Sequence, residues 1–254
     1  MYFGGAKSES STSSSTSTST SISTSATTST VAEINTDTKR QLILLNNDER
    51  KNLVLTNIIK MLTNRGLLNP DNYEKNVSDI IKNNNDDNLY MIDLDYPEKY
   101  YSPDNKKMII KMINAKVTSS MAKSPGVGEI LINYKNNPKI FVVSGINIKI
   151  QASINTDTTT FINSEVFTES RLLCDIVSHV SQPKFYLLSE DESREIISAY
   201  KTKKINLPKM LTTDPVACYF NAKKGQIFRI VRPSETAGET FYYRHVVTGL
   251  IKDT

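Results

Sequence analysis

Residues Leu207–Arg244 read LPKMLTTDPVACYFNAKKGQIFRIVRPSETAGETFYYR, and the punctuation of this stretch decides how the C-terminal part folds. Asp214 is a side chain that can cap the free amides of a helix, and Pro215 follows at the first helical position, where a missing N–H costs nothing. The spacing therefore predicts a short helix from Pro215, ahead of which Asn206-Leu207-Pro208 is a turn-rich link. Gly225 ends that unit. Gln226–Arg232 and Thr240–Val247 are rich in β-branched and aromatic residues and read as two strands. Pro233–Glu239 between them is longer than a tight hairpin requires, which predicts an ordered loop with a role of its own.

Working outward, Ser189-Glu190-Asp191-Glu192 is a capping box, and Ile196, Ile197 and Tyr200 give the following helix its apolar positions. Further upstream, Asp48–Arg65 places Leu53, Ile58, Ile59, Met61 and Leu62 near helical spacing, with Gly66 as the stop. Asn69-Pro70 opens a second helical stretch through about Ile81, with Tyr73, Val77, Ile80 and Ile81 on one face. Lys82–Asn88 is polar loop. Leu89–Leu94, Met108–Ile113, Glu129–Asn133 and Lys139–Val143 read as strands, and Ile140–Val143 has the continuous apolar run of a strand buried on both faces. Ser164–Val177 reads as a further helix. Helices, then strands, then a helix predict an α/β (α+β) layered fold.

The chain has 254 residues, 38% of them apolar, below the roughly 45–50% (glycine included) usual for a globular domain. Much of the deficit lies in Ser8–Thr30, which is almost entirely Ser and Thr and has no apolar face to offset its ordering entropy, so residues 1–44 are expected to be a disordered tail. No apolar run follows Met1 as a secretory signal would require, and none approaches the ~18 residues of a membrane span. The net charge of +4 is mild, but Lys201 to the end holds ten Lys/Arg against four acids. Cys174, Cys218, His179 and His245 are the only residues of their types, with no CxxC spacing. That argues against a zinc site, a disulfide framework or a nucleophilic triad, and the expectation is no cofactor, no metal and no small-molecule substrate.

Leu207-Pro208-Lys209-Met210, Asp214-Pro215-Val216-Ala217, Tyr219, Lys224-Gly225-Gln226, Arg232–Gly238 and Tyr243-Arg244, in this order, resemble the assembly domain of the fifth common subunit of eukaryotic nuclear RNA polymerases, and the small archaeal polymerase subunit that consists of little else. The resemblance covers roughly Val180 to Val247. It implies a small α/β assembly domain over 179–254 that docks on the largest polymerase subunit, with other polymerase subunits as further partners. Pro208, Asp214, Pro215, Tyr219, Arg232, Ser234, Glu235, Thr236, Tyr243 and Arg244 are the residues it offers to that partner. From the residues alone, Arg232 and Glu235 either fix the loop as a pair or face outward, and the adjacent strand edge offers main-chain pairing.

Upstream, Ile58–Leu67 with Arg65-Gly66, and then Phe141–Gly145, are similar to the family's N-terminal jaw, a restriction-nuclease-like fold, expected here over 45–178. The jaw implies a position flanking downstream duplex DNA, with weak phosphate contacts blind to sequence. Lys111 and Lys149 are the chosen backbone contacts, from a wider set that includes Lys106, Lys107 and Lys116. The sequence departs from the family pattern in three places. Lys184 stands where a His is usual, Cys218 where an Arg is common, and no Thr-Pro-Ser-Ala turn occurs near Asn147–Ile150.

A nuclease of this fold needs an acid at one strand end and an acid-x-Lys on the next strand. Asp93 supplies the first, but Ile109-Ile110-Lys111 lacks the second, so the expectation is a non-catalytic subunit. The rivals are a free-standing DNA-binding or regulatory protein with a borrowed assembly module, and a degenerate nuclease. The Asn, Ile and Lys bias, the drifted jaw and the Ser/Thr tail point to a large DNA virus that encodes its own polymerase. That origin implies the virion and the viral factories of the host cytoplasm; a cellular origin implies the nucleus.

Overall fold

The order of elements follows from two stretches of helix signals and two sets of strand signals. The computed structural model describes residues 45–82, 88–102, 106–118, 120–147, 150–151, 154 and 159–248. The expected disordered tail, most of the Lys82–Asn88 loop, and Lys149 lie outside the described residues.

Helix α1 (Asn47–Asn64) starts where the Asn46 amide donates to the Glu49 carboxylate at 2.9 Å. It stops as expected, with Arg65 at its C-cap and Gly66 in the left-handed region at φ 73°. Asn69 accepts from the Asp71 amide to open a 3₁₀ turn, Pro70–Asn72, which runs into α2 (Tyr73–Lys82). The expected apolar face is the one used: Ile80 is buried, and Tyr73, Val77 and Ile81 pack beside it.

The first sheet has the order β1-β2-β3-β4. Strand β1 (Leu89–Asp93) runs antiparallel to β2 (Lys107–Val117), while β3 (Lys139–Ile146) and β4 (Ser164–Thr168) add on in parallel. Ile140–Val143 is buried throughout, as its unbroken apolar run required of a central parallel strand, and Lys139 is buried with it. One face of the sheet (Tyr90, Ile92, Met108, Ile110, Ile140, Val142) packs under α1. The other (Ile109, Ile113, Phe141, Val143) packs against α3 (Val127–Asn133). This part is three layers, helix on sheet on helix.

Two elements differ from the sequence reading. Glu129–Asn133 is the body of α3 and not a strand. Ile130 and Leu131 are both buried and Ile132 is 79% exposed, whereas a strand would bury alternate residues. Ser164–Val177 is not one helix: its first five residues form β4, and only Glu169–Leu173 (α4) is helical.

The second sheet has the order β5-β7-β8-β6. Its strands are β5 (Lys184–Leu187), β6 (Lys209–Leu211), β7 (Ile227–Ser234) and β8 (Gly238–Val247). Helix α5 (Glu190–Ala199) begins at the expected capping box, with the Ser189 hydroxyl accepting from the Glu192 amide and the Glu192 carboxylate from the Ser189 amide. Helix α6 (Pro215–Tyr219) begins as read, with Asp214 accepting from the Val216 amide at 2.9 Å. The core of this sheet joins Met210, Val216, Ala217, Phe220, Phe228, Ile230 and Val246. Phe228 is fully buried with Phe185 and Phe220 edge-on at 6.0 and 5.8 Å. Ile227, Ile230 and Val246 are buried, Val231 and Val247 are half-buried, and Phe241 is 53% exposed. The described residues from Asn46 onward form one compact unit.

Candidate partner-docking site

The β7–β8 ladder is the longest in the second sheet, running from Ile227↔His245 to Ser234↔Gly238. Its neighbours are short. β5 covers β7 only at Phe228–Val231, and β6 covers β8 only at His245–Val247. The hairpin therefore runs on past both, and no described strand pairs with the outer edge of β8 from Gly238 to Arg244. Pro233 removes a donor from the opposite edge, so β8 is the edge with the fuller set of free main-chain groups.

The expected seven-residue loop is shorter than the sequence reading. The strands continue to Ser234 and Gly238, leaving Glu235–Ala237 as a three-residue connection. Pro233 is tolerated in the ladder because it lies past the end of β5. The tip is held by its own groups: Ser234 Oγ accepts from the Ala237 amide, and Gly238 turns the chain at φ 72°. Arg232 and Glu235 form no ion pair; Arg232 lies instead over the Tyr242 ring at 5.3 Å. Arg232, Glu235, Thr236 and Arg244 are exposed, and Ser234 and Tyr243 are half-buried.

A second feature was missed in the sequence. Because β-strand side chains alternate, Arg229, Phe241 and Tyr243 share one face, with Tyr186 of β5 opposite Arg229. The Arg229 guanidinium lies 5.6 Å from the Tyr186 ring and 6.0 Å from the Phe241 ring, while Tyr200 packs edge-on to Tyr243 at 5.7 Å. Tyr186, Phe241 and Tyr200 all remain substantially exposed. Period-two alternation could have placed Arg229, Phe241 and Tyr243 together; β5, with Tyr186, was too short to read. Near the base of the hairpin, burial and the charges of Lys204, Lys209 and Lys224 hold His245 below its ordinary pKa, and burial raises Tyr243. Three lysines of the basic excess seen in the sequence thus lie around this end of β8.

The other predicted contacts are placed elsewhere. The Pro208 carbonyl accepts from the His245 amide, which locks β6 to β8. Asp214 and Pro215 build the first turn of α6. Tyr219 is half-buried and turned toward α1, its hydroxyl accepting from Asn64 Nδ2 at 2.7 Å. Lys111 is half-buried in β2, and its Nζ lies close above Gly126, 3.2 Å from where a Cβ would stand. Asp93 and Lys111 are not brought together. In the β1–β2 ladder Asp93 pairs with Lys107 and Leu89 with Lys111, so they lie at opposite ends, roughly 13 Å apart by strand rise. Among the described residues no three His, Cys, Asp or Glu side chains group as a metal site, and no helix is long and apolar enough to cross a membrane.

Comparison with known proteins bears directly on this hairpin. A family model described as RNA polymerase Rpb5, C-terminal domain, matches residues 174–246, which include the whole β7–β8 arm except its last residue. DNA-directed RNA polymerase subunit 5 of Acanthamoeba polyphaga mimivirus is 33% identical over 215 residues, 81% of this chain and 96% of that protein. The chain belongs to the RNA polymerase subunit 5 family. The resemblance read from Leu207–Arg244 is thereby upheld, and similarity to the viral relative extends well beyond that stretch. Cellular members match a shorter part. The Dictyostelium discoideum subunit rpabc1 of DNA-directed RNA polymerases I, II, and III is 45% identical over 83 residues, 33% of this chain and 42% of its own. The Caenorhabditis elegans subunit RPABC1 is 41% identical over the same length, 39% of its own.

Proposed function

We propose that this chain is a non-catalytic subunit of a DNA-directed RNA polymerase, docked through its second sheet on the largest subunit, with residues 45–178 as a jaw beside the downstream duplex. The observation that carries the reading is the β7–β8 arm, whose outer β8 edge from Gly238 to Arg244 pairs with no described strand and lies within the part of the chain that matches the family model. An extended segment of the partner adds along that edge by main-chain hydrogen bonds, and the alternating side chains supply selectivity. Phe241 and Tyr243 with Arg229 face one side; Tyr242, Arg232 and Arg244 face the other. The surrounding Lys and Arg favour an acidic partner segment and speed its approach. In the jaw, Lys106, Lys107 and Lys116 are exposed and able to meet phosphates, each such contact adding about 0.9 to the salt slope of binding.

Arg232→Glu combined with Glu235→Ala tests the docking face. Both side chains are exposed and unpaired with each other, and the double change removes only the Arg232–Tyr242 contact, so the stability of the isolated chain should stay within about 1 kcal/mol of wild type. Incorporation into polymerase should fall about tenfold or more, the cost of disturbing a charged anchor at an interface. Incorporation at the wild-type level would show that the hairpin tip serves only the chain's own fold.

A further inference from the structure

Arg65 is a charged side chain with no solvent exposure, placed where α1 ends. A guanidinium is held in such a place only if its donors are taken up by well-placed acceptors. Its Nη1 and Nη2 donate as a fork to the two Glu165 oxygens at 2.9 and 2.7 Å. Nε donates to the Tyr219 carbonyl at 2.7 Å, and Nη2 also to the Cys218 carbonyl at 3.1 Å. Those carbonyls belong to the last turn of α6, at the negative end of the helix, and the Cys218 carbonyl also accepts from the Asn221 amide at 3.0 Å. Arg65 is thus bonded at once to the outer strand of the first sheet and to the helix that packs on the second.

The surroundings strengthen the fastening. Glu165 also accepts from the Tyr101 hydroxyl at 3.1 Å, and burial together with the Glu165 charge keeps that phenol neutral far above its ordinary range. Side chains of Cys218 and Tyr219 pack against the core under α1. Beside this joint Asn64 also donates to the Tyr219 hydroxyl at 2.7 Å, and farther out the two sheets part. Among the described residues no helix or strand of the first half packs broadly on one of the second, and a cleft of about 640 Å³ opens between them. It has Tyr100 and Phe161 on one wall and Thr212 and Gln226 on the other, and Glu165 and Cys218 lie along it.

We infer that Arg65 and Glu165 are positioning residues that fix the angle between the two sheets, so that a chain docked by its second sheet holds its first sheet in one direction. The planar fork is required: a lysine ammonium reaches one acceptor group and cannot span a carboxylate and two carbonyls together. Every contact involved lies within this chain, so the angle is set whichever partner the second sheet takes.

Residual dipolar couplings of backbone amides in the isotopically labelled full chain read this angle directly. In the wild type a single alignment tensor fits the amides of both sheets. In Arg65→Ala and Arg65→Lys each sheet still fits its own geometry, but the two require different tensors, with the ratio of their magnitudes moved from one by about twofold. A folded Arg65→Ala chain that still fits one tensor, or a wild type that already needs two, overturns the inference. Glu165→Gln, which keeps the side-chain volume and the Arg65–carbonyl bonds, carries the test if Arg65→Ala fails to fold. It is expected to lower the order of one sheet relative to the other, and equal order in both overturns the inference.

Discussion

Lys139 opens the central strand of the first sheet with only 1% of its surface exposed. Its Nζ donates to the carbonyls of Asn137 at 2.8 Å, Lys135 at 3.0 Å and Ile162 at 3.2 Å, and no described carboxylate pairs with it. Burial lowers its pKa from 10.5 to about 8. Between those two values the unfolded chain binds more protons than the folded one, so stability rises with pH through this window, and the penalty is present in full below it. From pH 7 to pH 9 the gain attributable to this group is about 1 kcal/mol, roughly a five- to tenfold fall in the unfolding constant. The three carbonyls favour the charged form, which makes that figure an upper one.

Urea unfolding of the wild type and of Lys139→Met at pH 7 and pH 9 isolates the effect. Cys218, whose pKa burial raises, acts in the opposite direction but equally in both proteins, and drops out of the comparison. The wild type should gain more stability than the variant by about 1 kcal/mol across the window. Parallel pH dependences would mean that folding does not lower the Lys139 pKa, and would refute the net burial penalty assigned to this ammonium.

Gly238→Ala should lower the stability of the chain by about 1 kcal/mol and Gly238→Asn by less, because nothing lies within 4 Å of the added Cβ and only the φ of 72° resists it. Equal melting of all three proteins would refute the left-handed tip. Phe228→Ala removes a fully buried ring held between Phe185 and Phe220, and should cost about 3–5 kcal/mol, read as lost amide-exchange protection in β5, β7 and β8. Retention of protection there would show that these rings are not the centre of the second core.

Much of this architecture was legible because it is written in local chemistry. The Ser189–Glu192 box, Asp214-Pro215 and Arg65-Gly66 act within a few residues of chain, and each marked a helix end that the structure shows. The errors came where local chemistry is silent. Glu-Ile-Leu-Ile-Asn is too short for its period to distinguish helix from strand, and α3 is decided by which of its residues the first sheet covers. Ser164–Thr168 is a strand because β3 offers it an edge, which no residue in the segment announces. Strands β5 and β6, four and three residues long, are too brief for any period to show. The residues of the hairpin tip are recognisable in the sequence, but its geometry is not, since Pro233 signals the end of a strand that it in fact sits within. Neither the Arg65–Glu165 fork, a hundred residues apart, nor the Tyr186–Arg229–Phe241 stack could be found without the tertiary fold.

What travels with the full chain tests the docking claim most directly. Isolated through an affinity tag from cells in which it is expressed with the polymerase it serves, and washed at high salt, it should retain the largest polymerase subunit in a one-to-one ratio. Docking through buried main-chain pairing and aromatic contact withstands screening that removes phosphate-type contacts. Recovery of this chain alone after that wash would contradict the docking claim and leave a free-standing protein that shares only the family's fold.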